Sequence, residues 1–221
     1  MSLFSASVVA VALTAACRPA APSPTSEPAP QVRGQAGFVS DPADFYYFDG
    51  KPFHLDRSTT EFVVGVADET DVTTLLKGTA VQATAGDPIP IRGRRFIVVT
   101  VDATAARTGG MDQLIASMRA LPDVWFASPI YYQPATRARV VPTDELLVRP
   151  KVSTTSDSLS AILKAKGLRQ VSLVYGTTDQ YVLRIESAKN ADVLRVAREL
   201  YDSGLFQWAE PDFIQELRRE G

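Results

Sequence analysis

The chain has 221 residues, 45% hydrophobic and 22% charged, with 23 basic against 25 acidic side chains, which excludes a wholly disordered polymer and leaves room for one large core or two small ones. Residues 44–133 carry 8 basic and 11 acidic groups and residues 137–221 carry 13 and 12, so neither half has the basic excess that a nucleic-acid partner requires. One cysteine, Cys17, and one histidine, His54, are too few for an internal disulfide or a His/Cys metal centre; no metal and no cofactor are expected.

Residues 2–16, SLFSASVVAVALTAA, form an uncharged apolar run that ends in small residues and is too short to span a bilayer as a mature helix. The pattern predicts a signal peptide over residues 1–16. The string Leu13-Thr14-Ala15-Ala16-Cys17 resembles the lipobox of bacterial lipoproteins, departing from it at Thr14, where leucine is preferred, and in having no Lys or Arg ahead of the apolar run. The resemblance implies lipidation of Cys17 and a place in the bacterial cell envelope, facing the periplasm or the cell exterior, with membrane contact through the lipid alone. An ordinary secretory signal is the alternative. Residues 17–43 open with Arg18-Pro19-Ala20-Ala21-Pro22-Ser23-Pro24, too proline-rich for helix or sheet, and read as a disordered linker.

Beyond the linker, Phe45-Tyr46-Tyr47-Phe48-Asp49-Gly50-Lys51-Pro52-Phe53-His54-Leu55 has the signature of a hairpin, with Asp-Gly at the turn and aromatics suited to packing rather than to a ligand cage. An internal repeat follows. In the first copy, strands are expected at Glu61–Val66, Thr79–Thr84, Phe96–Val101 and Val124–Pro129, with helices marked by Val72, Leu75 and Leu76 and by Met111, Leu114, Ile115 and Met118. In the second, strands are expected at Glu145–Pro150, Leu168–Tyr175, Gln180–Ile185 and Leu205–Pro211, with helices marked by Leu159, Ile162 and Leu163 and by Val193, Val196, Ala197 and Leu200. Each copy reads βαββαβ. The fold class expected is α+β: two tandem ferredoxin-like units, residues 44–136 and 137–217, each an antiparallel sheet with helices on one face, the first extended by the N-terminal hairpin.

Catalytic patterns are scarce. His54 is the one base a hydrolase triad could use, Gly-x-Ser-x-Gly and phosphate-binding loops do not occur, and Arg107-Thr108-Gly109-Gly110 reads as a helix-entry turn. Asp68, Glu69 and Asp71 precede a helix, where carboxylates favour the dipole and cap the first turn. A non-enzyme is expected.

The hairpin FYYFDGKPFHL, the strand TDELLVRPK at Thr143–Lys151 and the run ARELYDSGLFQWAEPDFIQ at Ala197–Gln215 together resemble the N-terminal prodomain of bacterial subtilisin-like serine peptidases, over roughly residues 44–217. The first copy matches more weakly, with Ser128 where the second has Glu210. The resemblance implies a domain that assists folding of the peptidase and then inhibits it by laying its C-terminal tail in the substrate cleft. It implies a subtilisin-like serine peptidase as partner and Pro211, Asp212, Phe213, Ile214, Gln215, Glu216 and Leu217 as the cleft-binding segment, with Ile214 and Leu217 spaced for the fourth and first positions before the cut. The charged end 218–221 would lie beyond the cut. Subtilisin Asp, His and Ser motifs do not occur before Gly221, so the expectation is an inhibitor or chaperone acting in trans, or the front part of a split peptidase gene. A surface interaction module and a small-molecule sensor built between the paired units remain the other readings.

Overall fold

Residues 37–77, 83–102 and 110–215 are described in the structure, a computed structural model. In chain order the elements are β1 Phe38–Phe48, β2 Lys51–Val66, α1 Val72–Lys77, β3 Ala83–Ile91, β4 Arg94–Val101, α2 Met111–Ala120, β5 Val124–Tyr132, β6 Arg139–Pro150, α3 Ser156–Ala165, β7 Leu168–Leu173, β8 Tyr181–Ile185, α4 Val193–Asp202 and β9 Phe206–Gln215, with a 3-10 turn at Ala188–Asn190. The expected helix stripes fall inside α1 to α4 because their apolar residues recur every three or four positions. Asp71 caps α1: its carboxylate accepts from the Thr73 N–H at 3.0 Å and the Thr74 hydroxyl at 2.6 Å, and the Thr74 hydroxyl holds its pKa below the usual range.

The strands among the described residues form one antiparallel sheet, so the fold is α+β. Its path runs β3-β4-β2-β5-β6-β8-β7, with β1 paired to β2 and β9 to β6. On β6, Leu146, Leu147 and Val148 face Leu183, Val182 and Tyr181 on one side and Pro211, Glu210 and Ala209 on the other, which gives the local order β7-β8-β6-β9. The junction of the two sets is the short pairing of Tyr131 and Tyr132 with Val140 and Arg139. β1 and β2 pair across Asp49 and Gly50, both left-handed (φ 48° and 72°), a turn in which glycine at the second position removes the steric cost.

Several strands differ in extent from expectation: β5 and β9 run on to Tyr132 and Gln215, and β7 stops at Leu173. The strand expected at Thr79–Thr84 is observed at Ala83–Ile91, with Thr79–Gln82 outside the described residues. Its Pro88 and Pro90 lack N–H donors, which argues against a strand in isolation; β3 ends the sheet path, and an edge position has room for them. β6 starts at Arg139 rather than Glu145, because Val140, Val141 and Pro142 gain partners on the extended end of β9.

Helices on one face account for only part of the burial. Phe62 to Val66 are buried at every position, as are Phe96 to Val99, so these strands are covered on both faces. Phe62, Val64, Ile97 and Val99 pack with Leu76, Leu114, Ile115 and Met118 of α1 and α2. Val63, Phe96, Val98 and Phe126 point the other way, into the larger cluster that holds Val196, Ala197 and Leu200 of α4 with Phe206 and Ala209. The described residues between 37 and 215 accordingly form one compact unit.

Candidate functional site at the C-terminal strand

The segment expected to bind a protease cleft is, as far as Gln215, the second half of β9. Pro211 is buried opposite Leu146, Phe213 stands opposite Pro142, Ile214 opposite Val141 and Gln215 opposite Val140. Phe213 packs in a small aromatic cluster with Leu55, Tyr131 and Leu194, its ring 5.6 Å from that of Tyr46. Ile214 leans on the large core cluster. Asp212 is held twice: its carbonyl accepts from the Thr143 hydroxyl at 2.8 Å, and its carboxylate from Arg92 Nη1 at 2.7 Å. The structure thus gathers Pro211 to Gln215 into the sheet. Glu216, Leu217 and 218–221 lie outside the described residues, as do Cys17, the signal segment, linker residues 18–36 and Arg107–Gly109. The linker expected to be disordered as far as residue 43 instead gives way at Phe38 to β1, where Phe38, Val39 and Ser40 pair with Ser58, Arg57 and Asp56 of β2.

Around Asp212 stands an ionic cluster that the sequence reading did not single out. Arg92 donates to both Glu145 and Asp212, Arg94 donates to Asp144, and Arg184 gives Nε and Nη2 to Glu145 Oε1 at 3.0 and 2.6 Å. The β3–β4 turn is thereby tied to β6, β8 and β9. Asp144 is 0% exposed, and its Oδ1 has no hydrogen-bond partner among the described residues. Burial pushes its carboxyl up to about 6, against the pull of Arg94. Arg94 is lowered by the same desolvation, and its guanidinium lies 3.4 Å from the centre of the Trp125 ring. Trp125 in turn lies across Gly65, where a Cβ would come within 2.4 Å of the indole, so only glycine leaves space for that ring. The available signal was the Asp144-Glu145 pair in the middle of an apolar strand pattern, with three arginines at 92, 94 and 95 around a Gly turn.

His54 is exposed on β2, its ring 5.3 Å from Phe45, while Asp56 is taken up by the Ser40 hydroxyl and Arg137, each at 2.5 Å. Among the described residues no group of three or more His, Cys, Asp or Glu side chains is placed to hold a metal ion, and no helix is long and apolar enough to cross a membrane.

No family model matches the chain, and no curated protein matches it. Among solved structures, the small subunit of acetolactate synthase from Thermotoga maritima aligns with a TM-score of 0.25 and 11% identity, covering 72% of this chain and 98% of that chain.

Proposed function

We propose that the chain is a non-catalytic cell-envelope protein, anchored by a lipid on Cys17, that acts as inhibitor or folding chaperone of a subtilisin-like serine peptidase in trans. The observation that carries the reading is a repeated topology. In β3-β4-β2-β5 and again in β7-β8-β6-β9, the first strand of each βαββαβ set lies between its third and fourth, the order of a ferredoxin-like unit. On this reading residues 44–136 and 137–217 are two such units, the first carrying the β1–β2 hairpin, and the run Ala197–Gln215 that resembles a peptidase prodomain supplies the C-terminal part of α4, its following turn and β9.

The inhibitory segment is then the continuation of β9. An extended chain leaving the sheet can add to the wall of a cleft through main-chain hydrogen bonds while alternate side chains fill pockets. Leu217 would occupy the primary pocket. Seating Ile214 at the fourth position as well requires the last residues of β9 to leave Val140 and Val141, so the first contact is made by the residues beyond Gln215.

The test is a titration of the full chain against subtilisin-like peptidases, beside a version ending at Gln215 and a Leu217→Asp variant. A cut at Ala209 would remove more than half of β9 and confound folding with binding. Inhibition by the full chain, lost in both variants at unchanged melting temperature, is the expected result. If the full chain neither inhibits nor binds any of them, the prodomain reading is wrong and an interaction module takes its place. Labelling with a fatty-acid probe, abolished by Cys17→Ser, tests the anchor.

A further inference from the structure

Between the β1–β2 turn, the end of α4 and the first half of β9 lies an open groove of about 600 Å³, walled by Phe48, Tyr201 and Trp208 with Asp49 and Glu210 at its edges. Three lining residues are aromatic, two are acidic and none is basic. Glu210 is half-buried, burial raises its pKa, and its carboxylate has no hydrogen bond or ion pair among the described residues. A carboxylate withdrawn from water without a counter-ion is a standing cost that a cation would relieve.

The walls are set before any ligand arrives. Tyr201 is stacked on Tyr47 with ring centres 4.3 Å apart, and its hydroxyl would lie 3.3 Å from a Cβ built on Gly50, so both ends of that side chain are confined. Phe48 stands 54% exposed beside it. Elsewhere in the molecule aromatic faces have been matched with arginines: Arg94 on Trp125, Arg137 on Phe38 and Arg198 on Phe45. Among the described residues no cation lies over Phe48, Tyr201 or Trp208. Arg149, opposite Trp208 in the register, is held by Asp179 at 2.8 Å. Lys51 follows the turn but does not line the groove. β9 hydrogen-bonds to β6 alone among the described strands, so its outer edge beside the groove leaves main-chain groups open to an extended segment.

We propose that this groove receives a lysine or arginine side chain of a partner protein, presented on an extended segment, with the cationic head over the aromatic rings and paired to Glu210. Ring quadrupoles attract a cation most strongly where it is partly desolvated, and the unpaired carboxylate adds a charge-assisted hydrogen bond. The site uses the flank of β9 and not the residues beyond Gln215, so it stands or falls separately from the peptidase reading.

The test uses the full chain and two blocked peptides, acetyl-Gly-Lys-Gly-Lys-Gly-amide and the same peptide with norleucine for lysine, in isothermal titration at low salt. The lysine peptide is expected to bind at least about 10-fold more tightly than its norleucine counterpart, and Glu210→Gln and Phe48→Leu each to weaken it about 5-fold, a loss of about 1 kcal/mol. Asp157→Asn, which removes an exposed carboxylate on α3, should leave the affinity unchanged. Quenching of Trp208 emission by the lysine peptide, read in a Trp125→Phe background, places the contact in the groove. Equal affinity for the two peptides, no binding at millimolar peptide, or unchanged affinity in both groove variants at native melting temperature would each overturn the proposal; Phe48→Leu, at an exposed position, keeps the test open if Glu210→Gln misfolds.

Discussion

Asp144 makes stability depend on pH in a direction opposite to that of most carboxylates. Its ordinary value is 3.8 and its folded value about 6, because desolvation outweighs Arg94. A raised carboxyl binds its proton more tightly in the folded chain, so its contribution is fully present below about 3.8 and is lost as pH rises through about 6. The shift of about 2 units corresponds to roughly 3 kcal/mol between those limits. Near pH 5 the unfolded chain has released this proton and the folded chain mostly has not, so the slope is about −1.2 kcal/mol per pH unit. Other groups titrate in the same window, some with the opposite sign: the pKa of Glu199 is lowered by the Lys166 ammonium it accepts from. The clean quantity is the difference between wild type and Asp144→Asn, in which those groups cancel. Urea unfolding followed by tryptophan emission from pH 4 to 7.5 measures it. Whatever its sign at any one pH, that difference should shift by roughly 3 kcal/mol in favour of the variant as pH rises, with most of the change between pH 4 and 6.5. A difference flat in pH would refute the claim that Asp144 is buried without adequate compensation. A difference that shifts toward the wild type on raising pH would mean that the Arg94 pair outweighs desolvation.

Gly65→Ala should lower stability by about 1–3 kcal/mol, because the new Cβ meets the Trp125 ring, and with it the ring that supports Arg94; a melting temperature within a degree of wild type would show that Trp125 repacks freely. Arg57→Ala strips Asp44 of a two-pronged ion pair at 2.8 and 2.9 Å and leaves a carboxylate that is 5% exposed, so a loss of roughly 3 kcal/mol is expected at pH 7, shrinking toward pH 4 as Asp44 takes up a proton; denaturant midpoints at the two pH values check it. Phe206→Ala, at a position 1% exposed where β9 meets α4, should cost about 3–5 kcal/mol in the same assay. Lys164→Ala, at an exposed position on α3, should change stability by no more than about 0.5 kcal/mol.

Much of the local structure was legible from single segments. Helix stripes such as Met111, Leu114, Ile115 and Met118 read directly because a face one residue in three or four wide has no other use, and that stripe became the buried face of α2, whereas Leu159, Ile162 and Leu163 of α3 are only partly buried. The Asp49-Gly50 turn was likewise visible, since two left-handed residues in succession tolerate few side chains. β3 runs past Thr84, where the expected strand ended, because its further stabilisation comes from a neighbour: Pro88 and Pro90 lower the intrinsic preference, and pairing with β4 at the sheet edge overrides it. The apolar runs at 62–66 and 96–99 carried a sign of burial on both faces, yet periodicity alone does not say what covers the second face.

By itself the sequence determined most element types, the α+β class and the apolar positions, all of which depend on neighbours a few residues away. Only the tertiary structure decided which charges meet. Arg92, Arg94, Asp144, Glu145, Arg184 and Asp212 are up to 120 positions apart, and nothing in local preference brings them to one place. The same holds for the tail. Pro211 to Ile214 read as an extended segment, but whether that segment is free or paired depended on β6 having unsatisfied main-chain groups from Val140 to Pro142. A strand's partner is chosen by the closure of the whole sheet, and burial then sets the chemistry, as it does for Asp144, whose residue type is ordinary and whose surroundings are not.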